Sequence, residues 1–210
     1  AIAKEALKAY EALKKTGKPQ GKEWTVLAGI VVHSTVTSKL QCVSLATGTK
    51  CLGEARMSQS GTVVNDCHAE VLARRGFVKL LMEQLLSHSE KGTDSSNLLV
   101  EEIDGIEENA KQFRLKPELS LHLYISSPPC GDATIFKSNS DASGENFTGA
   151  KLVSKKGDII RENRQAVGAL RIKSGRSNLK DENRTCSMSC SDKIALWNII
   201  GLQGSLLSQF

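Results

Sequence analysis

Apolar residues recur along the chain with two spacings, one typical of helices and one typical of strands. Residues 1–15 are rich in Ala, Lys, Glu and Leu and predict a helix, which Gly and Pro at 17–21 bring to an end. The almost continuous apolar run at 24–32 predicts a buried strand, with 39–46 as its hairpin partner. Alternation of apolar and polar residues predicts another strand at 119–126.

Two other segments show helical spacing and begin at polar residues that carry possible chemistry. Apolar residues follow His68 at intervals of about three or four and predict a helix from there to about Ser89. Asn65 or Asp66 is placed to cap the first amides of that helix. A second apolar run follows Cys190 and predicts a helix that begins at this cysteine.

Strands and helices alternate along the chain, which is typical of the α/β class. We expect a mixed sheet with helices packed on its faces, in a single domain that covers residues 1–210. The four strands expected to contribute are 24–33, 39–46, 119–126 and 165–172. Composition predicts a polar linker at 91–96 and a flexible Ser/Asn/Gly-rich loop at 137–149. The acidic segment 101–109 is expected to be exposed, and 151–164 is strongly charged.

The composition is that of an ordinary globular protein, since 40% of the 210 residues are hydrophobic and 24% are charged. The net charge of +5 leans toward polyanionic partners, although many intracellular proteins have a similar charge. The 6 cysteines lie at irregular positions, unlike the framework of a disulfide-rich secreted domain. No apolar run reaches the length of a membrane span, and no secretory signal is visible. We therefore expect an intracellular protein, of the nucleus or the cytoplasm.

The most suggestive chemical pattern is an H-x-E triplet, His68 and Glu70, at the start of a predicted helix. A neutral imidazole binds zinc, and a carboxylate in the same helical turn can move a proton to or from a water at the metal. H-x-E triplets are common, and this one alone is also compatible with two solvated side chains at a helix start. The triplet therefore needs a second motif before it indicates a metal site.

Cys130 supplies that second motif, because the predicted strand at 119–126 leads directly into Pro-Pro-Cys-Gly. Zinc nucleobase deaminases combine H-x-E with P-C-x-x-C further along the chain. The match is incomplete here, since Ala133 stands where the second cysteine is expected, and a three-ligand zinc site needs a thiolate from elsewhere. Cys190, at the start of a predicted helix, is the best candidate for that thiolate, and Cys186 is the alternative.

Three segments together resemble the adenosine deaminase domain shared by the ADAR RNA-editing enzymes and the eukaryotic tRNA-specific adenosine deaminases. They are N-D-C-H-A-E at 65–70, P-C-G-D-A at 129–133 and S-M-S-C-S-D-K at 187–193. Two flanking sequences support the resemblance, T-G-T-K-C at 47–51 and G-L-Q-G-S-L-L at 201–207. Three ordered motifs with matching flanks make the resemblance highly specific.

Two further segments favour a resemblance to the tRNA branch of this family. T-G-A-K at 148–151 is similar to a motif of that branch, and L-R-I-K-S-G-R at 170–176 resembles another, with Ser174 in place of a proline. The resemblance extends from about Trp24 to the end of the chain. The family's domain normally continues beyond the position of Phe210, which implies that this chain is truncated relative to the family.

The resemblance implies a cytidine-deaminase-like α/β fold with a zinc site at helix N-termini. It implies that His68, Cys130 and Cys190 hold the zinc and that Glu70 is the catalytic acid and base. It also implies hydrolytic conversion of adenosine to inosine in tRNA, at the position 3′ of the anticodon of alanine tRNA. Two alternatives stay open, editing of double-stranded RNA and a non-catalytic subunit with a structural zinc. No obligate protein partner is implied.

Family members also bind a buried inositol hexakisphosphate, and the matching residues of this chain are Asn65, Arg74, Arg75, Lys193 and Trp197. Asp66 and Lys151 match the relay between that cofactor and the zinc. Without the resemblance, Arg74 and Arg75 are simply two solvent-facing arginines of a helix. Leu196 replaces an arginine that usually contributes to the phosphate site, and the family's further lysines lie beyond the end of this chain. The cofactor site is therefore expected to be incomplete in this chain or completed by residues outside it.

Thr49 and Lys50 match residues on the substrate side of the family's site. From the residues alone, Lys50 is equally compatible with a solvated turn lysine. The charged segment 151–164 borders the RNA in the family, and a solvated loop is the alternative of equal weight. Both assignments rest on the resemblance.

Overall fold

The computed structural model describes residues 1–91, 99–104, 111–135, 149–153, 159–160, 168–173 and 185–210. Over these residues the helices are α1 (Ile2–Ala12), α2 (Ala69–Lys91), α3 (Cys190–Ile200) and α4 (Gly204–Leu207), with 3-10 turns at Glu54–Arg56 and Asp132–Thr134. The strands are β1 (Leu27–Ser34), β2 (Leu40–Thr47), β3 (Thr49–Cys51), β4 (Asp66–His68), β5 (Val100–Asp104), β6 (Lys111–Leu115), β7 (Leu119–Ile125), β8 (Ala150–Val153), β9 (Ile159–Ile160) and β10 (Arg171–Lys173). None of these helices combines the length and the apolar character that crossing a membrane requires.

Strand β1 lies between β2 and β7 in a three-stranded sheet, and both pairings are antiparallel. Residues 27–32 of β1 are all buried. Gly29 lies against Ala6 of α1, whereas the next residue, Ile30, packs with Phe77 of α2. Because successive strand residues point to opposite faces, α1 and α2 cover the two faces of this sheet. Burial on both sides explains why the sequence of β1 is continuously apolar rather than alternating.

The α/β class with helices packed on a sheet is confirmed, but the strand pairing differs from the expected mixed sheet. Every pairing among the described strands is antiparallel. The strand expected at 165–172 is shorter, and as β10 it pairs with β8 in a separate sheet of order β10-β8-β9. Its charged residues Arg171 and Lys173 are buried against acidic side chains near Cys190, a position that an apolar sheet centre does not offer.

The acidic segment 101–109, expected to be exposed, begins with a strand in which Glu102 is exposed and Glu101 is partly buried. Strand β5 begins at Val100 and pairs with β6, so the acidic residues belong to one strand of a hairpin. Val100 joins the core formed by Ile30 and Phe77 of the sheet and α2, which anchors the hairpin despite its acidic side chains. The loops predicted at 91–96 and 137–149 fall almost entirely outside the described residues, and of 151–164 only the backbone of β8 and β9 is described.

Gly48 joins β2 to β3 where the elements that carry the site meet. Its amide donates to the Val26 carbonyl at 3.1 Å, and its carbonyl accepts from the Ala69 amide at 3.0 Å. A Cβ at this position would lie 2.1 Å from the carbonyl oxygen of Cys67, so only glycine fits. This contact holds the start of α2 against the end of the central sheet.

Candidate metal centre and its surroundings

His68, Cys130 and Cys190 are far apart in the sequence but meet at one point of the fold. Their candidate ligand atoms all lie within 4.8 Å of one another, and His68 Nδ1 is 4.0 Å from Cys130 Sγ and 3.5 Å from Cys190 Sγ. In a tetrahedral site with Zn–S of about 2.3 Å and Zn–N of about 2.0 Å, nitrogen and sulfur ligands lie about 3.5 Å apart. The three side chains therefore fit one zinc ion with a fourth position left for a small molecule. Within the described residues no other group of this kind is placed to hold a metal.

The start of α3 holds the two cysteines together. Ser189 caps the helix, since its Oγ accepts from the Asp192 amide at 3.2 Å and donates to the Asp192 carboxylate at 2.6 Å. The Cys190 amide donates to Cys130 Sγ at 3.3 Å, and the Ser191 amide donates to the Cys130 carbonyl at 3.0 Å. Amides at a helix start favour negative charge, so this arrangement favours a thiolate at Cys130.

Gly131 permits the close approach of the Cys130 loop to α3. Its φ of 104° lies in the left-handed region, and a Cβ there would lie 2.4 Å from Ser189 Oγ. A larger residue would push the loop away from α3 and separate the two sulfur atoms. The resemblance implies a zinc site at helix N-termini, and the helical segment after Cys130 is only a short 3-10 turn, Asp132–Thr134.

His68 is the last residue of β4, and α2 begins one residue later than predicted, at Ala69. Asp66 was expected to cap the first amides of the helix. Its Oδ1 instead accepts from the amide of His68, the residue just before α2, at 3.1 Å. Of the two candidates for the third ligand, Cys190 lies in the group with His68 and Cys130. Cys186 is exposed and does not belong to the group around His68.

The pKa values of the two thiols at the centre are shifted in opposite directions. The hydrogen bond from Cys190 lowers the pKa of Cys130 to about 4, burial opposes this, and His68 and the Cys190 amide lower it further. The pKa of Cys190 is raised by that same hydrogen bond, by burial, and by the negative charge of Cys130. Without a cation, the pair therefore keeps one proton, and a metal ion stabilises the second thiolate by replacing that proton.

Glu70 lies in the first turn of α2, two residues after His68, and is 2% exposed. Its charge is close enough to Cys190 to contribute to the raised pKa of that thiol. A buried carboxylate beside three candidate metal ligands is placed to move protons there. Its catalytic role stays a prediction, but its position is the one that the H-x-E triplet requires.

A buried ion cluster lies directly behind the ligands. Lys173 Nζ and Lys193 Nζ are both 2.5 Å from Asp66 Oδ2, and the Lys173 side chain is 3% exposed. Burial alone would raise the pKa of Asp66, but the bonds from the two lysines lower it. Burial alone would lower the pKa of Lys173, but the neighbouring Cys190 and the bond to Asp66 raise it. The bonds to Asp66 link β4, β10 and α3 beside the candidate ligand Cys190.

Lys173 was missed by the sequence analysis, which paired Asp66 with Lys151. Lys151 lies on β8 opposite Ile172 of β10, and its side chain lies outside the described part, so its role stays a prediction. A signal for Lys173 was present in the sequence. Arg171 and Lys173 stand on either side of Ile172 in a strand, so both point to the same face.

Arg171, the other cation of β10, was also missed. It is 1% exposed, and its Nε donates to Asp132 Oδ1 at 2.6 Å. Asp132 Oδ2 in turn accepts from the Gly168 amide at 2.6 Å. The Arg171 amide donates to Asp192 of α3 at 3.0 Å. These bonds tie the Cys130 loop, β10 and α3 into one support for the two sulfur ligands.

Arg74 of α2 and Trp197 of α3 face each other between the two helices. Arg74 Cζ lies 5.2 Å from the centroid of the Trp197 ring, within the range of a cation–π contact. Arg74 Nε is buried without a hydrogen-bond partner in the described part of the chain, and burial lowers the pKa of this guanidinium. Asn65 Oδ1 is likewise buried and unpartnered. Arg74 is half-buried, and its buried Nε without an acceptor favours an anion beside it.

The other residues matched to the phosphate site fit this position to different degrees. Lys193 precedes Trp197 by one helical turn and so shares its face of α3. Gly204 leaves room for Arg74, since a Cβ there would lie 2.9 Å from Arg74 Nη2. Arg75 follows Arg74 on α2, so its side chain is turned by about 100° from that of Arg74, and it is exposed.

Thr49 and Lys50 lie on β3, next to the strand that carries His68. Thr49 is directly opposite His68 in the β3–β4 pairing, and Lys50 is opposite Cys67. The Lys50 side chain is exposed. Both residues therefore border the candidate centre, and their contact with a substrate stays a prediction.

Comparisons with known proteins agree with this geometry. The adenosine-deaminase (editase) domain model matches residues 44–210. The tRNA-specific adenosine deaminase 1 of Drosophila melanogaster is 40% identical over 98% of this chain and 50% of its own length, and that of Schizosaccharomyces pombe is 36% identical over 99% and 53%. The double-stranded RNA-specific editase Adar of Drosophila melanogaster is 39% identical over 87% of this chain and 27% of its own length. This chain thus spans about half the length of these tRNA-specific relatives, and it belongs to the adenosine-deaminase (editase) domain family.

Proposed function

We propose that the protein hydrolytically deaminates adenosine to inosine in RNA. The observation that carries this proposal is the convergence of His68, Cys130 and Cys190 with the buried carboxylate of Glu70 beside them. A zinc ion bound by these three residues supplies a Lewis acid that brings the pKa of a water molecule close to neutrality. A structural zinc site has no use for such a carboxylate, which argues against the non-catalytic alternative.

Glu70 performs the proton transfers of the proposed reaction. It accepts a proton from the attacking water as the new C–O bond forms at the ring carbon that bears the amino group. It then donates a proton to the departing nitrogen, so that the C–N bond breaks and ammonia leaves. The target adenosine must leave its stack to enter the site, where Thr49 and Lys50 border the entrance from β3.

We propose tRNA as the substrate, with the adenosine 3′ of the anticodon of alanine tRNA as the target. The relatives named tRNA-specific adenosine deaminase 1, matched over nearly the whole of this chain, support this choice over the editases of double-stranded RNA. The L-R-I-K-S-G-R segment that resembles the tRNA branch contains Arg171 and Lys173, which support the metal ligands. A tRNA substrate would be met in the nucleus or the cytoplasm.

Incubation of the full chain with three RNAs tests the proposal. The probes are a transcript of alanine tRNA, the same transcript with guanosine at the target position, and a long perfect duplex. Sequencing should reveal A-to-G changes at the target of the first probe and none in the second. Conversion of the duplex alone would favour the double-stranded RNA alternative. Absence of inosine in every probe, with the metal present, would overturn the enzymatic proposal.

We also propose that the cluster of Asn65, Arg74, Lys193 and Trp197 binds inositol hexakisphosphate. The unpartnered Nε of Arg74 and the lowered pKa caused by burial support an anionic ligand over a neutral one. Lys193, one helical turn before Trp197 on α3, is a second cation, although its ammonium group is bonded to Asp66. Arg75 and the relay residue Lys151 would contribute from the edge of the same site. Leu196, which is 40% exposed, supplies no charge where an arginine is usual, so the affinity should be lower than in a complete site.

Elemental analysis of the purified chain tests both bound groups. Protein produced in a eukaryotic host should contain zinc and phosphorus. Cys190→Ser should lose the zinc, whereas Cys186→Ser, which changes the exposed cysteine outside the centre, should keep it. Arg74→Gln should lose the phosphorus, whereas Lys79→Gln, an exposed cation of the same helix, should keep it.

Two results would contradict these assignments. Zinc retained by Cys190→Ser but lost by Cys186→Ser would exchange the roles of the two cysteines. Phosphorus absent from the unaltered chain, with no rise in Tm when inositol hexakisphosphate is added, would remove the cofactor proposal and leave the zinc proposal intact.

A further inference from the structure

One of the two tryptophans of the chain is exposed in a way that its packing does not explain. Trp24 is 75% exposed, whereas Trp197 is 9% exposed between α2 and α3. Tryptophan is strongly enriched in protein interiors and at binding surfaces, because its large ring gains much from being covered. Trp24 also stands just before β1 rather than in a mobile chain end, so its position is fixed by the fold.

The contacts of the next residues place Trp24 on the side of the sheet where the candidate centre lies. Val26 packs against Ala69 and Ala73 at the start of α2, and its carbonyl accepts from the Gly48 amide. Gly48 in turn accepts from the Ala69 amide, next to His68. By these links Trp24 lies within about 20 Å of Ala69, the residue between His68 and Glu70.

The adjacent strand end reaches the same place. The Ser126 amide donates to the Leu27 carbonyl at 2.8 Å, and Ser126 Oγ accepts from the Leu27 amide at 2.9 Å. Four residues after Ser126 the chain reaches the metal ligand Cys130. Two independent segments that carry ligands therefore adjoin the first residues of β1.

The charges around Trp24 suit a polyanion. Lys22 and Lys50 are exposed, and neither is paired with an acid in the described part of the chain. Lys22 stands two residues before Trp24, and Lys50 stands two residues after Gly48, whose amide donates to the Val26 carbonyl. The one adjacent acid, Glu23, accepts from the Gln20 amide at 3.0 Å and keeps its charge, so the two lysines outnumber it. An exposed aromatic ring with lysines in neighbouring segments is a combination that binds single-stranded nucleic acid, through stacking and phosphate contacts.

We propose that Trp24 stacks on an unpaired base of the RNA that flanks the target adenosine, while Lys22 and Lys50 contact its phosphates. This inference rests on the proposed function, since it names a positioning residue for the same site. Trp24 does not touch the reacting atoms. Its contribution is to hold the strand so that the adenosine that has left its stack reaches the centre.

Kinetics with the alanine tRNA transcript test the role of Trp24. Trp24→Ala should raise KM about fivefold or more, the effect of losing one base–aromatic stack, and leave kcat within about twofold. Trp24→Phe retains an aromatic face and should recover most of the loss. Val36→Ala removes another exposed apolar side chain, 78% exposed, at the opposite end of β1 and should leave KM unchanged.

Fluorescence tests the contact without depending on turnover. Trp24→Phe leaves Trp197 as the only tryptophan, so the difference from the unaltered chain reports Trp24. Bulk tRNA should quench this difference signal, whereas dextran sulfate, a polyanion without bases, should not. Equal quenching by both probes would show that charge attraction, and not stacking on a base, brings the polyanion to Trp24. This result would overturn the proposal.

The two experiments separate the failure of this inference from that of the proposed function. An active enzyme whose KM is unaffected by Trp24→Ala would overturn the role of Trp24 and leave the deaminase proposal standing. If the chain forms no inosine but tRNA quenches the Trp24 signal and dextran sulfate does not, the stacking contact would stand. The deaminase proposal would then be overturned. Absence of any quenching by RNA would overturn the contact in either case.

Discussion

Glu70→Gln should lower inosine formation by about 10²- to 10⁴-fold, the usual contribution of a positioned general acid and base, while zinc stays bound. The glutamine amide has nearly the size of the carboxylate, which matters because Glu70 is 2% exposed and a smaller residue would leave a cavity. The amide cannot accept the proton of the attacking water or return one to the departing nitrogen. Binding of zinc depends on His68, Cys130 and Cys190, none of which this substitution alters.

Single-turnover assays with the alanine tRNA transcript, with zinc measured on the same samples, check this expectation. Glu83→Gln is a matched control, because it makes the same change on the same helix at a side chain that is 59% exposed. The control should be fully active. Activity of Glu70→Gln within tenfold of the unaltered chain would show that another group moves the proton. Loss of zinc from Glu70→Gln would instead assign Glu70 to holding the metal site together.

The parts of the centre that the sequence predicts are those in which the chemistry is local. His68 and Glu70 stand two residues apart at a helix start, and Cys130 follows a strand of clear alternation, so each ligand has a recognisable neighbourhood. The continuous apolar run of β1 likewise indicated a strand covered on both faces. In each case a short segment fixes both the conformation and the residue type.

The parts that were missed depend on which segments meet in space. Lys173 reads as an ordinary cation of a weak strand, and only the folded chain brings it within 2.5 Å of Asp66, 107 residues earlier. The acidic sequence of β5 gave no sign of a strand, because its pairing with β6 and the contact of Val100 with the core are both non-local. Propensity describes a residue with its neighbours, whereas these positions are decided by tertiary partners.

Lys173→Met should destabilise the protein by about 3–5 kcal/mol, the range for removing one partner of a buried ion pair, and lower Tm by roughly 6–20 °C. Methionine keeps most of the length and apolar volume of lysine, so the effect reports the lost charge rather than a cavity. Asp66 would keep only Lys193, whose side chain is 17% exposed and therefore compensates the buried carboxylate less well. Thermal and urea unfolding of the full chain measure the change.

Lys193→Met is the matched control, because it removes the other lysine from the same carboxylate oxygen. Its cost should be smaller, since Lys193 gives up less hydration in the folded state than Lys173, which is 3% exposed. Combining Lys173→Met with Asp66→Asn should cost less than the sum of the two single changes, because the second removes the charge that the first leaves unpaired. Additive costs would show that Lys173 and Asp66 do not interact energetically.

Lys173→Met should lower the affinity for zinc in addition to the stability of the fold. Besides its bond to Asp66, the positive charge of Lys173 lowers the pKa of both Cys130 and Cys190 and so favours the thiolates that bind a metal. Removing a partner that supports a ligand typically lowers metal affinity by about 10- to 100-fold. Zinc affinity measured by competition with a chelator should therefore fall in Lys173→Met at temperatures where the variant is folded. It should change much less in Lys193→Met, because this lysine is more exposed than Lys173 and bonds to Asp66 rather than to a candidate ligand. Equal affinities in the two lysine variants would mean that the cluster supports the fold alone and leaves the metal ligands unaffected.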